Sequence, residues 1–399
     1  MTKPKLWTKN FFIVSTANFF LYFTFYLLMV TITNFASEKF HATPSAAGLA
    51  SGIFVIGMLI GRLFTGRSID KTGWKKTLYI GFIFFLITTG LYFFVNNMTT
   101  LLINRFLNGA AMGIASTATG TIAAKIIPNE RRGEGTGYYA LSVVLAAAIG
   151  PFLSMFLSQY TEVSINFVLC ILLLAFSLIA IFFLNVPIIQ FTKEQLEEMK
   201  GFSLDHFFEV KAIPISVMGA FIGLGYSSIL TFLSSYTNEI DLVGVGSFFF
   251  IVYAVLVLVS RPFTGRWFDV RGENFVMYPS FFVFALALFV LSQAHHGFTL
   301  LLAGAFVGLG YGTLTSSGQA ISIKVSPKER MGLATSTWFI FFDGGMGIGP
   351  SILGFIVPSL GYRGLYMTMA IVLFACLFFY YLLHGRKAGN KIQQMVQPS

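Results

Sequence analysis

The sequence predicts an all-α membrane protein in which twelve transmembrane helices form two six-helix repeats. Its 399 residues are 56% hydrophobic and only 11% charged, whereas charged residues make up about 25% of a typical soluble domain. Apolar stretches of about 20 residues, the length that crosses the hydrocarbon core of a bilayer, recur along the chain. The pattern is not that of a membrane β-barrel, which has short segments of alternating polarity.

Twelve apolar stretches define the expected helices. The first follows a basic start, as a signal peptide does, but its length of about 25 residues and the span directly behind it favour a first transmembrane helix. In chain order, we expect helices at 11–35, 45–66, 77–95, 100–127, 135–159, 164–186, 212–236, 244–265, 275–293, 299–325, 332–358 and 362–383.

The second half of the chain repeats the first at a fixed offset. Residues 62–73 read R-x-F-T-G-R-x-x-D-x-x-G and residues 261–272 match them, an offset of 199 positions (261 − 62). Two repeats in series are typical of secondary transporters, which hold a solute at the repeat interface and expose it alternately to each side. We therefore expect an N-terminal bundle at 1–186, a cytoplasmic linker at 187–211, a C-terminal bundle at 212–385 and a cytoplasmic tail at 386–399.

The net charge of +10 marks membrane topology rather than binding to nucleic acid. Most of the 26 Lys and Arg residues fall in segments that are cytoplasmic if the N-terminus is inside, whereas the outer loops carry only Lys39 and Arg363. By the positive-inside rule, both termini are expected in the cytoplasm.

Motifs for enzymatic chemistry are absent from the sequence. It contains no G-x-x-x-x-G-K-[ST] nucleotide loop, no H-E-x-x-H motif and no Cys/His cluster with metal spacing. The two cysteines, Cys170 and Cys376, are interpreted as small buried hydrophobic residues. We predict that the protein is not an enzyme and needs no metal or other cofactor.

The segment 66–76 resembles the G-x-x-x-D-[RK]-x-G-x-[RK]-[RK] loop of the major facilitator superfamily of secondary transporters. The resemblance covers the whole chain. It implies the two-bundle fold of that family and favours a bacterial member similar to its drug/proton antiporters. Two further elements resemble family motifs: Arg105, Gly109 and Gly113 on helix 4, and Gly137, Gly150 and Pro151 on helix 5, where Ala146 and Ser154 replace two glycines.

Asp70 follows the predicted inner end of helix 2, where we expect a tight turn from Gly66 to Gly73. An acid there can accept hydrogen bonds from helix N-termini or pair with Arg131 or Arg132, which would latch one conformation and release in the other. The alternative is an incidental acid in a basic loop, but its match in the second repeat favours the latch. The predicted conformational gate comprises Gly66, Asp70, Lys71, Gly73, Arg131, Asp269 and Arg330.

Two Gly-Pro pairs lie at matching positions inside helices 5 and 11, Gly150-Pro151 and Gly349-Pro350. Proline frees a carbonyl and kinks a helix, while small residues allow close helix approach. Helix kinks and simple tight packing are both compatible with the pattern.

Two charges within spans break the repeat symmetry: Arg105 corresponds to Gly304, and Asp343 to Val144. A charge in a span costs at least ~2.5 kcal/mol on insertion scales, so function is the default explanation. Asp343 lies about 11 residues into helix 11, roughly 16 Å deep. We expect it to be the proton-coupling carboxyl; the alternative is a structural partner for Arg105 or for backbone groups. Arg105 is expected to hold an anionic substrate group, assist a proton relay, or extend towards the outer surface.

Polar residues within the spans are candidates for the cavity lining. Asn18, Tyr22 and Tyr26 share one face of helix 1, and the family resemblance implies that helices 1, 4, 7 and 10 surround the cavity. Ordinary helix packing explains such residues equally well. The candidates for substrate contact or proton relay are Arg105, Asn18, Tyr22, Tyr26, Asn108, Tyr226, Tyr311 and Gln319.

The sequence therefore predicts a secondary transporter of the bacterial cytoplasmic membrane that works by alternating access. We expect proton-coupled efflux of a small amphipathic compound, energised by the proton gradient. The alternative is uptake or exchange of a small anionic metabolite, which Arg105 and the absence of an acid on helix 1 favour. The expected partners are a small-molecule substrate, protons and the lipid bilayer, with the chain acting as a monomer.

Overall fold

The computed structural model describes residues 4–128, 131–186, 208–327 and 330–386, without the side chains at 67, 70 and 132–134. These ranges are almost entirely helical and contain twelve long helices. In order they are α1 (Lys9–Phe40), α2 (Pro44–Thr72), α3 (Trp74–Gly90), α4 (Met98–Ile126), α5 (Arg132–Leu157), α6 (Val163–Phe182), α7 (Ile213–Glu239), α8 (Val243–Arg271), α9 (Glu273–Ser292), α10 (Gly297–Lys324), α11 (Met331–Gly354) and α12 (Val357–Tyr380).

Ten of these helices are long and apolar enough to cross a membrane by length and composition. The other two, α4 and α11, are less apolar than the sequence analysis expected, because they are rich in glycine and small polar residues. They also contain the two unmatched charges, Arg105 and Asp343. The fold class is as predicted: a helical membrane protein with two sets of six helices.

The chain divides into two compact units, Met1–Gly201 and Phe202–Ser399. In the first unit α1 contacts α5 and α6, α2 contacts α4, and α3 contacts α4 and α6. In the second unit α7 contacts α11 and α12, α8 contacts α10, and α9 contacts α10 and α12. The same helices pair in both units, so the sequence repeat is also a repeat of packing. The predicted linker lies mostly outside the described residues, as does nearly all of the predicted tail.

Glycines allow α2 and α4 to approach backbone to backbone. A Cβ atom built on Gly109 would collide with the carbonyl group of Phe54, and one on Gly113 with that of Met58. From the opposite side, a Cβ on Gly57 would collide with the carbonyl of Phe106. Small residues at a helix crossing are a common solution in membranes, where close van der Waals packing drives helix association.

Replacing Gly109 with alanine should therefore separate α2 from α4. Overpacking of this kind costs about 1–3 kcal/mol, so we expect Gly109→Ala to lower the thermal unfolding midpoint of the purified protein. Gly120→Ala is the matched control, because it lies on the same helix with no atom within 4 Å of the added Cβ. Equal midpoints for both variants would contradict the close α2–α4 approach.

The turn after α2 is shorter than expected. The helix continues through Gly66 and the backbone at position 70 to Thr72, and only Gly73 leaves helical geometry, with φ = 90°. In the second unit, α8 runs to Arg271 and Gly272 adopts φ = 84°. The expectation of a turn spanning Gly66 to Gly73 was wrong, because a glycine inside a long helix is tolerated and only the last one needs positive φ.

The two Gly-Pro pairs lie inside helices that continue past them, with Pro151 in α5 and Pro350 in α11. A Cβ on Gly150 would press on Tyr26 and Leu27 of α1. One on Gly349 would collide with the hydroxyl of Ser227 on α7. Tight packing of α5 on α1 and of α11 on α7 therefore accounts for the glycines.

Candidate functional site

Asp343 lies in the middle of α11 and is only 7% exposed. It follows Met331, the first residue of the helix, by twelve positions (343 − 331), which corresponds to ~18 Å along the axis. The helix packs tightly on α7: a Cβ on Gly345 would collide with the backbone of Ala220, and one on Gly223 with the carbonyl of Phe342. The structure therefore holds a buried carboxyl group at the centre of a closely packed helix.

Stacked aromatic rings lie next to this turn of α11. Tyr226 and Tyr311 stack at 3.9 Å between ring centres and 11° between planes, and the Tyr253 ring lies 5.9 Å from that of Tyr226. Phe342, which directly precedes Asp343, lies 6.3 Å from Tyr311. The Trp338 ring lies 6.5 Å from that of Phe342. Four helices thus bring aromatic side chains together at this turn of α11, and we call Tyr226, Tyr253, Tyr311, Trp338 and Phe342 the aromatic cluster.

The matching positions of the first unit do not hold an equivalent cluster. The five matching positions hold Leu27, Phe54, Met112, Tyr139 and Val143, only two of which are aromatic. Of the predicted cavity residues, the structure brings Tyr226 and Tyr311 together in this cluster. Gln319 is half-buried on α10, eight residues beyond Tyr311.

Arg105 is fully buried inside the first unit. Its Nε donates to the carbonyl of Ala50 at 2.9 Å, and its Nη1 donates to the hydroxyl of Tyr92 at 3.2 Å. Its Nη2 lies 3.8 Å from the Met29 sulfur, and its guanidinium carbon is 4.4 Å from the centre of the Phe54 ring. The side chain therefore joins α1, α2 and the turn after α3 to α4, rather than extending outward.

Asn108 extends the same network. The Tyr92 hydroxyl donates to Asn108 Oδ1 at 3.1 Å, and Asn108 Nδ2 donates to Thr88 at 2.9 Å and Thr89 at 3.2 Å. Asn108 is fully buried between α3 and α4. Its donors and acceptor are all used within the unit, so packing accounts for a residue that the sequence analysis proposed for the cavity.

Asn18 is also held in a buried network. Its Nδ2 donates to Ser142 at 2.9 Å, and its Oδ1 accepts hydrogen bonds from Thr119 at 3.1 Å and Tyr139 at 2.8 Å. These contacts connect α1 with α4 and α5. The amide is therefore a hub of the first bundle, and packing explains it as well.

Tyr22 and Tyr26 remain on the shared face of α1. The Tyr22 hydroxyl accepts a hydrogen bond from Arg62 Nη2 at 3.1 Å, and the rings of Tyr22 and Tyr26 lie 6.5 Å apart. Tyr22 is half-buried and Tyr26 is buried. At the position of Tyr22 in the second repeat stands Phe221, so the hydroxyl contact to this arginine belongs to the first unit.

The second unit fills the space of the Arg105 network with apolar side chains. The positions matching Arg105, Tyr92 and Asn108 hold Gly304, Leu291 and Val307, and Phe249 stands where the first unit has Ala50. A Cβ on Gly304 would lie 3.1 Å from the ring of Phe249. A large ring over a glycine therefore takes the place of an arginine over an alanine. This complementary exchange is visible in the sequence once the contact is known.

The predicted gate residues are only partly brought together. The side chain of Asp70 lies outside the described set, and Lys71 is exposed in the last turn of α2. Asp269 is exposed and forms no ion pair with another described residue. Arg131 donates to the carbonyl of Pro4 at 3.1 Å. Because the side chains at positions 70 and 132 lie outside the described set, the latch between Asp70 and the arginines stays a prediction.

Arg330 contacts the start of α7. Its Nε lies 3.0 Å from Oε2 of Glu209, a buried acid just before that helix, and its Nη2 donates to the carbonyl of Phe208 at 3.5 Å. The backbone amide of Glu209 donates to Thr337 on α11 at 2.8 Å. In the sequence, Glu209 falls within the predicted linker, and only its position directly before an apolar span indicates another role.

A second buried acid was also missed. Glu273 at the start of α9 accepts hydrogen bonds from Lys324 at 2.7 Å and from the imidazole of His384 at 2.6 Å. In the first unit the matching pair is Trp74 and Lys125, whose ammonium lies 6.0 Å from the indole ring. A comparison of unmatched charges between the repeats does not single out Lys324, because both repeats have a lysine at this position and only its partner differs.

Comparisons with known proteins agree with this architecture. The family model of the Major Facilitator Superfamily matches residues 14–294 and 215–397. The multi-drug resistance efflux pump PmrA of Streptococcus pneumoniae is 25% identical over 339 residues, which cover 83% of this chain and 84% of the pump. The multidrug resistance protein MdtG of Dickeya zeae is 24% identical over 406 residues, covering 98% of each chain.

Solved transporter structures share the fold. A crystal structure of the nucleoside transporter NupG has a TM-score of 0.73 at 12% identity and covers 94% of this chain and 99% of its own. A crystal structure of the peptide transporter POT in complex with sulfate has a TM-score of 0.77 at 13% identity and covers 95% of each chain. At these identities the likeness concerns the fold alone. The family model, which spans the chain, shows that this multi-pass membrane protein belongs to the Major Facilitator Superfamily of transporters.

Proposed function

We propose that this transporter exports a small amphipathic compound across the cytoplasmic membrane in exchange for protons. The observation that carries the proposal is the buried carboxyl of Asp343, in the same turn of α11 as Phe342 of the aromatic cluster. Among the buried acids of the described residues, Glu209 and Glu273 lie at the starts of helices, whereas Asp343 is more than two turns from either end of α11.

A charged carboxyl group at this depth is energetically unfavourable. Insertion scales assign a charged Asp at the centre of a helix about 2.5–3.5 kcal/mol, so an acid held there is by default a functional hypothesis. A carboxyl that binds a proton on one side of the membrane and releases it on the other couples transport to the proton gradient. Asp343 is the residue we assign to this step.

The neighbourhood of Asp343 also supports an amphipathic substrate. Aromatic rings offer apolar area and faces that attract cations, while a carboxylate supplies one fixed charge. A compound with an apolar body and a polar or cationic group would be complementary to both. The direction of transport is supported by the relative named as a multi-drug resistance efflux pump, which is 25% identical.

Uptake or exchange of an anionic metabolite is the weaker alternative. It was favoured by Arg105 and by the absence of an acid on the predicted helix 1. The donors of Arg105 are directed at Ala50, Tyr92 and Met29 within the first unit. A fully buried guanidinium with these contacts is not available to a substrate in this arrangement.

Transport by everted membrane vesicles tests the proposal. An efflux-deficient host that overexpresses the chain is first screened for resistance to toxic amphipathic compounds. Each compound that gives resistance is then added to vesicles that hold a proton gradient. We expect the compound to dissipate the gradient only in vesicles with the transporter. Accumulation of an anionic metabolite by intact cells, without resistance or gradient collapse, would replace efflux by the alternative.

A further inference from the structure

Two apolar grooves flank the end of α6 in the first unit. One, of about 530 Å³, lies between α1 and α6 and is lined by Phe12, Ile13, Ala180 and Phe183 together with Lys9. The other, of about 330 Å³, lies between α3 and α6 and is lined by Tyr79, Leu178, Ile179, Phe182 and Phe183. Both grooves are on the outer surface of the bundle, where Phe182 is 71% exposed.

A lysine stands beside each groove. Lys9 Nζ lies 5.2 Å from the centre of the Phe183 ring. On the other side of α6, Lys75 Nζ donates to the carbonyl of Phe182 at 3.4 Å. Neither ammonium forms an ion pair with another residue in the described ranges. The end of α6 therefore combines two apolar grooves with two positive charges that no acid of the described ranges neutralises.

The repeat does not require these lysines. The positions 199 residues further on hold Phe208 and Asn274, both uncharged. Asn274 donates to the carbonyl of Gly385 at 2.8 Å and so closes the end of α12 without a charge. Closing the end of the sixth helix of a bundle is thus possible with a neutral side chain. Closing the helix end therefore does not by itself explain the charge of Lys75, which belongs to the basic end of the 66–76 loop.

We infer that this surface binds an anionic phospholipid of the cytoplasmic leaflet, with its acyl chains in the two grooves and its headgroup phosphate between Lys9 and Lys75. The orientation is the one predicted from the charge pattern, which places the starts of α1 and α3 at the cytoplasmic face. Basic residues at the ends of membrane helices attract anionic lipids by about 1 kcal/mol each. The inference is independent of the proposed substrate and of Asp343.

A lipid fits the grooves better than the chain segment that follows α6. Only its first part is apolar, with Ile188, Ile189 and Phe191, and Lys193, Glu194, Glu197 and Glu198 follow directly. A stretch long enough to fill the grooves on both sides of α6 would therefore bring charges against an apolar wall that belongs to a membrane-spanning helix. Acyl chains match this wall without such a cost. The two lysines then meet a phosphate at the headgroup level, which satisfies their charge.

Lipid binding to the purified full chain tests the inference. Native mass spectrometry would compare phosphatidylglycerol with phosphatidylcholine, added at equal concentration to the delipidated protein. We expect selective retention of phosphatidylglycerol. The double variant Lys9→Gln/Lys75→Gln should weaken this binding by about thirtyfold, or about fivefold for each lysine, and leave phosphatidylcholine unchanged.

Lys39→Gln is the matched control. Lys39 also lies over an aromatic ring, 5.0 Å from the centre of Phe35, and donates to a backbone carbonyl, that of Val95 at 3.0 Å. It stands at the opposite end of α1, so its replacement should not change lipid retention, and Lys9→Arg/Lys75→Arg should bind as the wild type does. Equal binding of the two lipids, or unchanged phosphatidylglycerol binding by the Lys→Gln double variant, would overturn the inference. If residues 187–207 occupied the grooves instead of a lipid, the protein would bind the two lipids equally.

Discussion

Asp343→Asn should abolish proton-driven transport while leaving the protein folded. Asparagine has nearly the same size and can still form hydrogen bonds, but it cannot exchange a proton near neutral pH. Substrate-induced collapse of a proton gradient should fall to the level of empty vesicles, and the pH dependence of the remaining exchange should disappear. Binding of the apolar body of the substrate to the purified variant should persist, because the aromatic cluster is unchanged, while a cationic substrate should bind more weakly without the fixed charge.

The stability of the same variant separates the coupling role from a structural one. Removing a buried charge that serves coupling should leave the thermal unfolding midpoint unchanged or higher, since its insertion cost of about 2.5–3.5 kcal/mol is relieved. A carboxyl kept as a structural partner would instead lower the midpoint together with transport. Glu239→Gln, at the exposed last residue of α7, is the control for loss of an acid. Undiminished proton-driven transport by Asp343→Asn would refute the assignment.

The helices could be predicted because their signal is local. A stretch of about 20 apolar residues has few alternatives in a membrane, and all twelve long helices appear where such stretches were found. The end of α2 was less predictable. Gly66 and Gly73 look alike in sequence, but only Gly73 has positive φ, and the choice depends on where the next helix must begin.

The candidate site was predictable only in part, because the partners of a polar side chain are set by tertiary packing. Asn18, Asn108 and Arg105 were all selected as polar residues in apolar spans. Each is fully engaged by side chains from other helices that carry no signal of their own, such as Tyr92 and Thr119. Tyr226 and Tyr311 were selected by the same criterion and lie beside Asp343's helix turn. Polarity in a span therefore identifies residues under constraint, and contacts decide which constraint applies.

Comparison of the two halves has a similar limit. An unmatched charge was taken as a sign of function, since the shared fold does not require it. For Arg105 the structure gives a packing reason. In the first unit the Arg105 side chain fills the space next to Ala50, and in the second unit the Phe249 ring fills the equivalent space next to Gly304. For Asp343, matched by Val144 in sequence, the surrounding cluster also differs between the units. The coupling hypothesis therefore rests on depth and burial rather than on asymmetry alone.

The exchange between the two units leads to a prediction for Arg105. Arg105→Gly should destabilise the first unit by about 2–4 kcal/mol. The variant loses charge-assisted hydrogen bonds, which contribute about 1.5–3 kcal/mol each, and a desolvated cation–π contact of about 2 kcal/mol. Removal of the buried charge offsets several kcal/mol of this loss. The carbonyl of Ala50 and part of the Tyr92 hydroxyl would be left unsatisfied around a cavity. The unfolding midpoint of the purified protein measures the loss.

Adding Ala50→Phe to Arg105→Gly should recover much of that stability, because it reproduces the arrangement of Phe249 and Gly304. Ala50→Phe alone should destabilise strongly, since the added ring would overlap the buried guanidinium. The two changes should therefore be strongly non-additive in a double-mutant cycle. Additive losses of stability would show that a phenylalanine at position 50 does not replace the packing of Arg105 in the first unit. If the double variant is stable and transports, Arg105 is an anchor of the first unit. If it is stable but inactive, the guanidinium takes part in transport through another conformation, and the anionic-substrate alternative regains its main support.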